Sequence, residues 1–269
     1  EWIEYPVLHF DLSTFKNCDL SLFPEKFDMQ LRRFEKQFGI EDMRKSAGNR
    51  LTQLIEQAES MTGRKVVIII DEYDAPLLDV LHNETKLDAV RTIMQEFYAP
   101  IKANSSHIHF AFISGITKFS QLSIFSTINN LTNISMDPEF STICGITKDE
   151  LDTILKEDIA LLASKNHVSF ERMRELLREN YDGYHFSREG EDIFNPYSLM
   201  RSFAAGFIDN YWYASGTSTY LIHQMQHFHT DVTTLDDMFA FSSSFDRPTE
   251  KMSDALPLLY QSGYIKKKK

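Results

Sequence analysis

Asp71 and Glu72 stand side by side where the unbroken run Val66-Val67-Ile68-Ile69-Ile70 ends. A run of β-branched residues without alternation reads as a strand buried on both faces, as in a parallel sheet covered by helices. In such sheets ligands bind beyond the carboxyl ends of the strands. Two acids at that place suit a Walker B element. Asp71 would hold Mg²⁺, directly or through water, and Glu72 would orient or activate the water that attacks a phosphoanhydride. A plainer reading stands beside it, in which the acids only cap the next turn. A third takes Asp71, Glu72 and Asp74 as a metal-dependent nuclease site. Such sites need a Glu-x-Lys nearby, and Glu84-Thr85-Lys86, which follows, leads into the helical stretch of Leu87 and Val90.

A Walker B site needs a polar residue at the end of the neighbouring strand, to sense the γ-phosphate or place the water. Ser114 holds that position after the apolar run Ile108-His109-Phe110-Ala111-Phe112-Ile113. Gly115 permits close backbone approach, and Thr117 and Lys118 follow as nucleotide-binding candidates, Lys118 with the reach to meet a phosphate. An ordinary strand-to-loop turn would look the same. The phosphate cradle itself is absent: no Gly-x-x-x-x-Gly-Lys-Ser/Thr occurs in the 269 residues, and Gly63-Arg64-Lys65 leads into a strand rather than a helix. The P-loop strand is expected upstream of Glu1, so this chain alone is expected to bind ATP weakly or not at all.

Two other constellations carry less. His223 and His227, with His229 and Asp231 beyond, have a spacing that allows zinc on one helix face. No Glu sits between them as a metalloprotease requires, and a solvated histidine cluster explains them as well. His109 reads as a core or edge histidine rather than a ligand.

These residues need a scaffold. Tyr5 to Ser13 reads as a strand with Pro6 at its start. Phe27, Leu31, Phe34 and Phe38 form one stripe of a helix over about 24–38, and Leu51, Leu54, Ile55 and Ala58 the inner face of a helix over about 46–61. After the central strand, Pro76 suits a first helical turn, and Leu87, Val90, Ile93, Met94 and Phe97 mark a further helix. Strands alternating with helices build a parallel sheet with helices on both sides. Ile134 to Asp137 reads as one more short strand. From about 141 the pattern turns helical. Thr147 and Glu150 make a capping box, Leu151, Ile154, Leu155, Ile159 and Leu162 continue that helix, Ser169 starts another, and Asn195-Pro196 a third. Asp182-Gly183 centres a turn between them. The expected architecture is therefore an α/β core over 1–140 and a helical lid or second domain over 141–269.

Composition narrows the function classes. The chain is ordinary globular, with 42% hydrophobic and 25% charged residues. A net charge of −11 argues against a protein whose main task is to coat nucleic acid. Two unpaired-looking cysteines, Cys18 and Cys144, fit a reducing, cytoplasmic compartment. No apolar run nears the roughly 18 residues needed to span a bilayer. Both ends read as cut, Glu1-Trp2-Ile3 without Met and Lys266 to Lys269 after Ile265, so a fragment of a longer protein is expected.

The ordered motifs together resemble one family. Val67 to Leu78 is similar to the Walker B segment of the bacterial AAA-ATPase-like proteins, and Phe112 to Ser120 with Ser123 to Ser126 and Asn129 to Leu131 to their next segment. Tyr181-Asp182-Gly183-Tyr184-His185-Phe186, Asn195 to Leu199, Tyr211 to Thr217 and Leu258 to Tyr264 resemble further blocks in order. The resemblance implies a P-loop NTPase fold lacking here its first strand and P-loop. It also implies Mg²⁺ and ATP as cofactors and a restriction-endonuclease-like domain downstream in the parent. The expected function is the Walker B and sensor half of an ATPase module in which hydrolysis drives conformational change. A homo-oligomer is compatible with it, and neither direct nucleic-acid binding nor a membrane is expected. The alternative is an interaction scaffold with a vestigial nucleotide site.

Overall fold

The structure, a computed structural model, describes residues 3–16, 18–41, 46–78, 80–81, 83–115, 130–187, 190–211, 218–231, 233, 253–261 and 265. The chain divides into two compact units, one built on residues up to Leu131 and one on residues from Thr132 onward.

The first unit is α/β. Strands β1 (Val7–Asp11), β2 (Val66–Asp71) and β3 (Ile108–Ile113) form a parallel sheet in that order. Helices α1 (Phe23–Gln37) and α2 (Ala47–Thr62) join β1 to β2. A short α3 (Ala75–Leu78) and a long α4 (Glu84–Ala103) join β2 to β3. The register sets Leu8 beside Ile68 and Phe10 beside Ile70, and all four are fully buried together with Val66. They share one core with Phe27, Leu31 and Phe34 of α1, Leu51, Leu54 and Ile55 of α2, and Val90, Met94 and Phe97 of α4. Phe10 anchors it, edge-on to Phe34 and Phe97 at 5.4 and 5.3 Å between centroids.

The opposite sheet face corrects the sequence reading. The unbroken run of β2 is not buried on both sides: Val67 and Ile69 are half-buried. Val67 is in register with Val7 and Phe110, which are 42% and 53% exposed. Among the described residues the helices that join the core cover one face, and the apolar second face is only half-covered. His109 is displaced by an irregularity in the β2–β3 ladder, where Val66 pairs with Ile108 but Val67 with Phe110. Its ring stacks on Tyr5 at 4.2 Å, at the edge of the sheet.

Two features hold α1, α2 and α4 together. Buried Arg50 on α2 grips buried Glu35 on α1 with two hydrogen bonds of 2.7 Å and reaches Asp28 at 2.9 Å. Gly48 of α2 lies against α4, so that a Cβ there would sit 2.3 Å from the Glu96 carbonyl oxygen. Backbone cannot yield as a side chain does. Gly48→Ala is therefore expected to cost about 1–3 kcal/mol by forcing the helices apart, read as a lower midpoint in thermal unfolding.

The second unit is mostly helical. It comprises α5 (Lys148–Thr153), α6 (Lys156–Lys165), α7 (Phe170–Tyr181), α8 (Pro196–Ala205), α9 (Ser218–His227) and α10 (Leu256–Gln261). The capping box of Thr147 and Glu150 forms in both directions, and Ser169 and Asn195 cap α7 and α8. Leu151, Ile159, Leu162, Met173, Leu177, Tyr181 and Leu199 make its core. Isolated bridges pair Ile146 with Phe194 and Tyr184 with Ile193.

Two expectations fail here. The single helix through Leu151 and Leu162 is broken between α5 and α6, where the Thr153 hydroxyl bonds back to the Asp149 carbonyl at 2.6 Å and Ile154 turns outward, 71% exposed. Ile134 to Asp137 is a turn, closed by Asp137 N–H on the Ile134 carbonyl, and not a strand. Among the described residues no helix is long and apolar enough to cross a membrane.

Candidate functional site

Parallel pairing puts the ends of β1, β2 and β3 at one edge of the sheet. Asp11 and Asp71 end their strands in register with each other. The ladder between β2 and β3 runs on past the strands: Ser114 N–H donates to the Ile70 carbonyl at 2.8 Å, and Tyr73 N–H to the Ser114 carbonyl at 3.0 Å. This holds Ser114 beside Asp71, and its hydroxyl donates to Asp71 Oδ1. The same carboxylate oxygen accepts the Glu72 N–H at 3.0 Å.

After Asp71 the backbone turns sharply. Glu72 has φ +50°, a left-handed conformation uncommon for a residue with a side chain, and its carbonyl accepts the Ala75 N–H at 3.0 Å. Asp74 is fully buried, and its carbonyl receives Leu77 and Leu78 N–H as α3 begins. The Tyr98 hydroxyl of α4 donates to the Tyr73 carbonyl at 3.3 Å. Burial first, and the Asp74 carboxylate second, push that phenol well above its ordinary pKa, so it stays a donor. On the β3 side, Gly115 fits against this turn: a Cβ there would meet Asp74 Oδ1 at 2.5 Å and the Tyr73 ring at 2.6 Å. The close approach expected of Gly115 is thus made to the turn that follows Asp71.

The Glu72 carboxylate points elsewhere. It pairs with the Lys16 ammonium, and both side chains are about a third exposed. Lys16 closes a short 3-10 turn, Leu12–Phe15, that starts at the end of β1 with Asp11 Oδ1 accepting the Ser13 N–H at 2.9 Å.

The edge therefore gathers Asp71, Glu72 and Ser114, three of the residues singled out in the sequence. Thr117 and Lys118 lie outside the described residues, as does the side chain of His223. Asp11 and Lys16 were missed. Asp11 had a signal, since it closes its own apolar run as Asp71 does. Lys16 had none, because only the folded turn carries it to Glu72. Among the described residues no group of three or more His, Cys, Asp or Glu is placed to hold a metal ion. What the edge offers is one carboxylate bonded to a hydroxyl, both hard oxygen donors, with a second carboxylate next in the chain.

Comparison with known proteins adds a family. Residues 1–125 match the family described as "Predicted AAA-ATPase". That segment contains Asp71, Glu72 and Ser114. An uncharacterized protein from the vnfD 5′ region of Azotobacter chroococcum mcd 1 is 30% identical over 231 residues, 86% of this chain and 42% of that relative. The chain thus spans less than half the length of the curated relative it matches. No solved structure matches it. The match to the AAA-ATPase-like family thus covers the stretch that holds the strand-end acids and Ser114.

Proposed function

We propose that the chain is the Walker B and sensor half of an ATPase module in a longer protein. The observation that carries this is the Ser114 hydroxyl on Asp71 at the carboxyl edge of a parallel sheet, with Glu72 next in the chain. Asp71 holds Mg²⁺ in this reading, which fits an ion that takes one or two carboxylates and completes its shell with water and phosphate. When bound, that ion neutralises charge on the transferred phosphoryl group. Ser114 fixes the Asp71 carboxylate and faces the γ-phosphate. Glu72 orients the attacking water.

The sheet supports an upstream partner. Among the described residues β3 pairs with β2 alone, and Phe110 stands on its open face. An apolar strand left half-covered on an aliphatic sheet face is a place for another layer. We assign it to the upstream P-loop strand and the helix that follows. A downstream nuclease domain, nucleotide as ligand and a homo-oligomer belong to the same proposal. Titration calorimetry with Mg²⁺–ATP tests it on two proteins, this chain and a version extended upstream. Binding is expected only in the longer one. Absence of binding in both would shift the conclusion to an interaction scaffold with a vestigial site.

A further inference from the structure

The buried face of α4 is apolar through Val90, Met94, Phe97 and Ile101. Tyr98 stands among them and is itself fully buried. A phenylalanine would fill that place as well, edge-on to Phe97 at 5.5 Å between centroids. The phenolic oxygen is what packing does not explain, because a buried hydroxyl costs free energy unless it is hydrogen-bonded. It donates to the Tyr73 carbonyl at 3.3 Å, in the turn between Asp71 and α3.

Tyr73 is held at both of its backbone polar groups. Its carbonyl takes the Tyr98 hydroxyl, and its N–H donates to the Ser114 carbonyl at 3.0 Å. Ser114 N–H in turn donates to the Ile70 carbonyl at 2.8 Å, and the Ser114 hydroxyl meets Asp71 Oδ1. One run of hydrogen bonds therefore leads from the interior of α4 to the pair at the strand ends. Packing follows the same route. The Tyr73 ring and the Asp74 carboxylate stand over Gly115, where a Cβ would meet them at 2.6 and 2.5 Å. The turn is thus pressed onto the end of β3 from one side and tied to α4 from the other.

We infer that Tyr98 is a positioning residue for the strand-end site, which acts through Tyr73 to keep the Ser114 backbone in place and the Ser114 hydroxyl on Asp71. This rests on the ATPase reading. In it Tyr98 touches neither nucleotide nor metal. Its hydroxyl sets how well Ser114 is aligned with the γ-phosphate, so its loss lowers turnover and leaves nucleotide affinity as it was.

The test is steady-state phosphate release by the full-length parent protein, arranged as a double-mutant cycle. Tyr98→Phe keeps the ring and is expected to lower kcat about threefold to tenfold, the range that one hydrogen bond supplies, with KM for ATP unchanged. Ser114→Ala removes the group that Tyr98 positions. Adding Tyr98→Phe to it is expected to slow turnover no further, whereas a loss through general destabilisation would multiply with it. Gly115→Ala disturbs the same turn from the β3 side and is expected to give the same pattern, which keeps the test open even where Tyr98→Phe folds poorly. Wild-type kcat in both variants, or losses that multiply with that of Ser114→Ala, would overturn the positioning role and leave the ATPase reading standing. No nucleotide binding and no turnover in the wild-type parent would remove both.

Discussion

Glu35→Leu is expected to lower the unfolding free energy of the first unit by about 3–5 kcal/mol. Glu35 and Arg50 are 2% and 6% exposed, and the guanidinium meets both carboxylate oxygens at 2.7 Å. Removing the acid leaves a buried guanidinium with its other acidic neighbour, Asp28, which is shared with Arg32. The hydrogen bonds of Arg32 first, and of Arg50 after the opposing effect of desolvation, hold the Asp28 carboxyl below its usual range. Asp28 is thus committed to the surface side of the network and does not replace Glu35. The pair as a whole is a different matter. Its attraction is offset by the cost of desolvating two charges, so Glu35→Leu with Arg50→Met is expected to recover most of the loss. Urea unfolding of the two single variants and the double variant closes the cycle. A single-variant loss below about 1 kcal/mol would mean that the pair behaves as a surface salt bridge.

The split between what the sequence discloses and what it hides follows from range. Local signals read correctly: the stripe of Phe27, Leu31 and Phe34, the capping box at Thr147, the caps Ser169 and Asn195, and the two strands that end at Asp71 and before Ser114. Each depends on neighbours within a turn or a strand. The α/β class followed from the order of these elements. The Glu35–Arg50 pair was invisible because a charged residue on a helix looks the same whether its partner is water or a guanidinium fifteen positions away. Lys16 was invisible for the same reason. The break at Ile154 was missed because hydrophobic period alone does not register a hydroxyl competing for a backbone carbonyl. The open sheet face inverted an inference rather than hiding from one. An aliphatic run records that a strand is covered, but does not say whether the cover lies within the same stretch of chain.

Glu72→Gln in the full-length parent is expected to slow ATP hydrolysis by about a hundredfold to ten-thousandfold, the range that a positioned general base contributes, while Mg²⁺–ATP still binds. The amide keeps the size of the side chain and the turn at φ +50°, but cannot take a proton. Asp71→Ala is expected to act at the earlier step. Asp71 accepts both the Ser114 hydroxyl and the Glu72 N–H, so its loss removes the proposed metal carboxylate and unties the turn at once. Binding in the presence of Mg²⁺ then weakens along with turnover. The two variants thus separate the roles: one fails in chemistry with nucleotide held, the other fails to hold it. Single-turnover kinetics and calorimetry on the same preparations read both quantities. Full hydrolysis surviving Glu72→Gln would show that this acid only caps the turn into α3. The strand-end pair would then be structural, and a nucleotide bound in the parent would act as a ligand rather than a fuel.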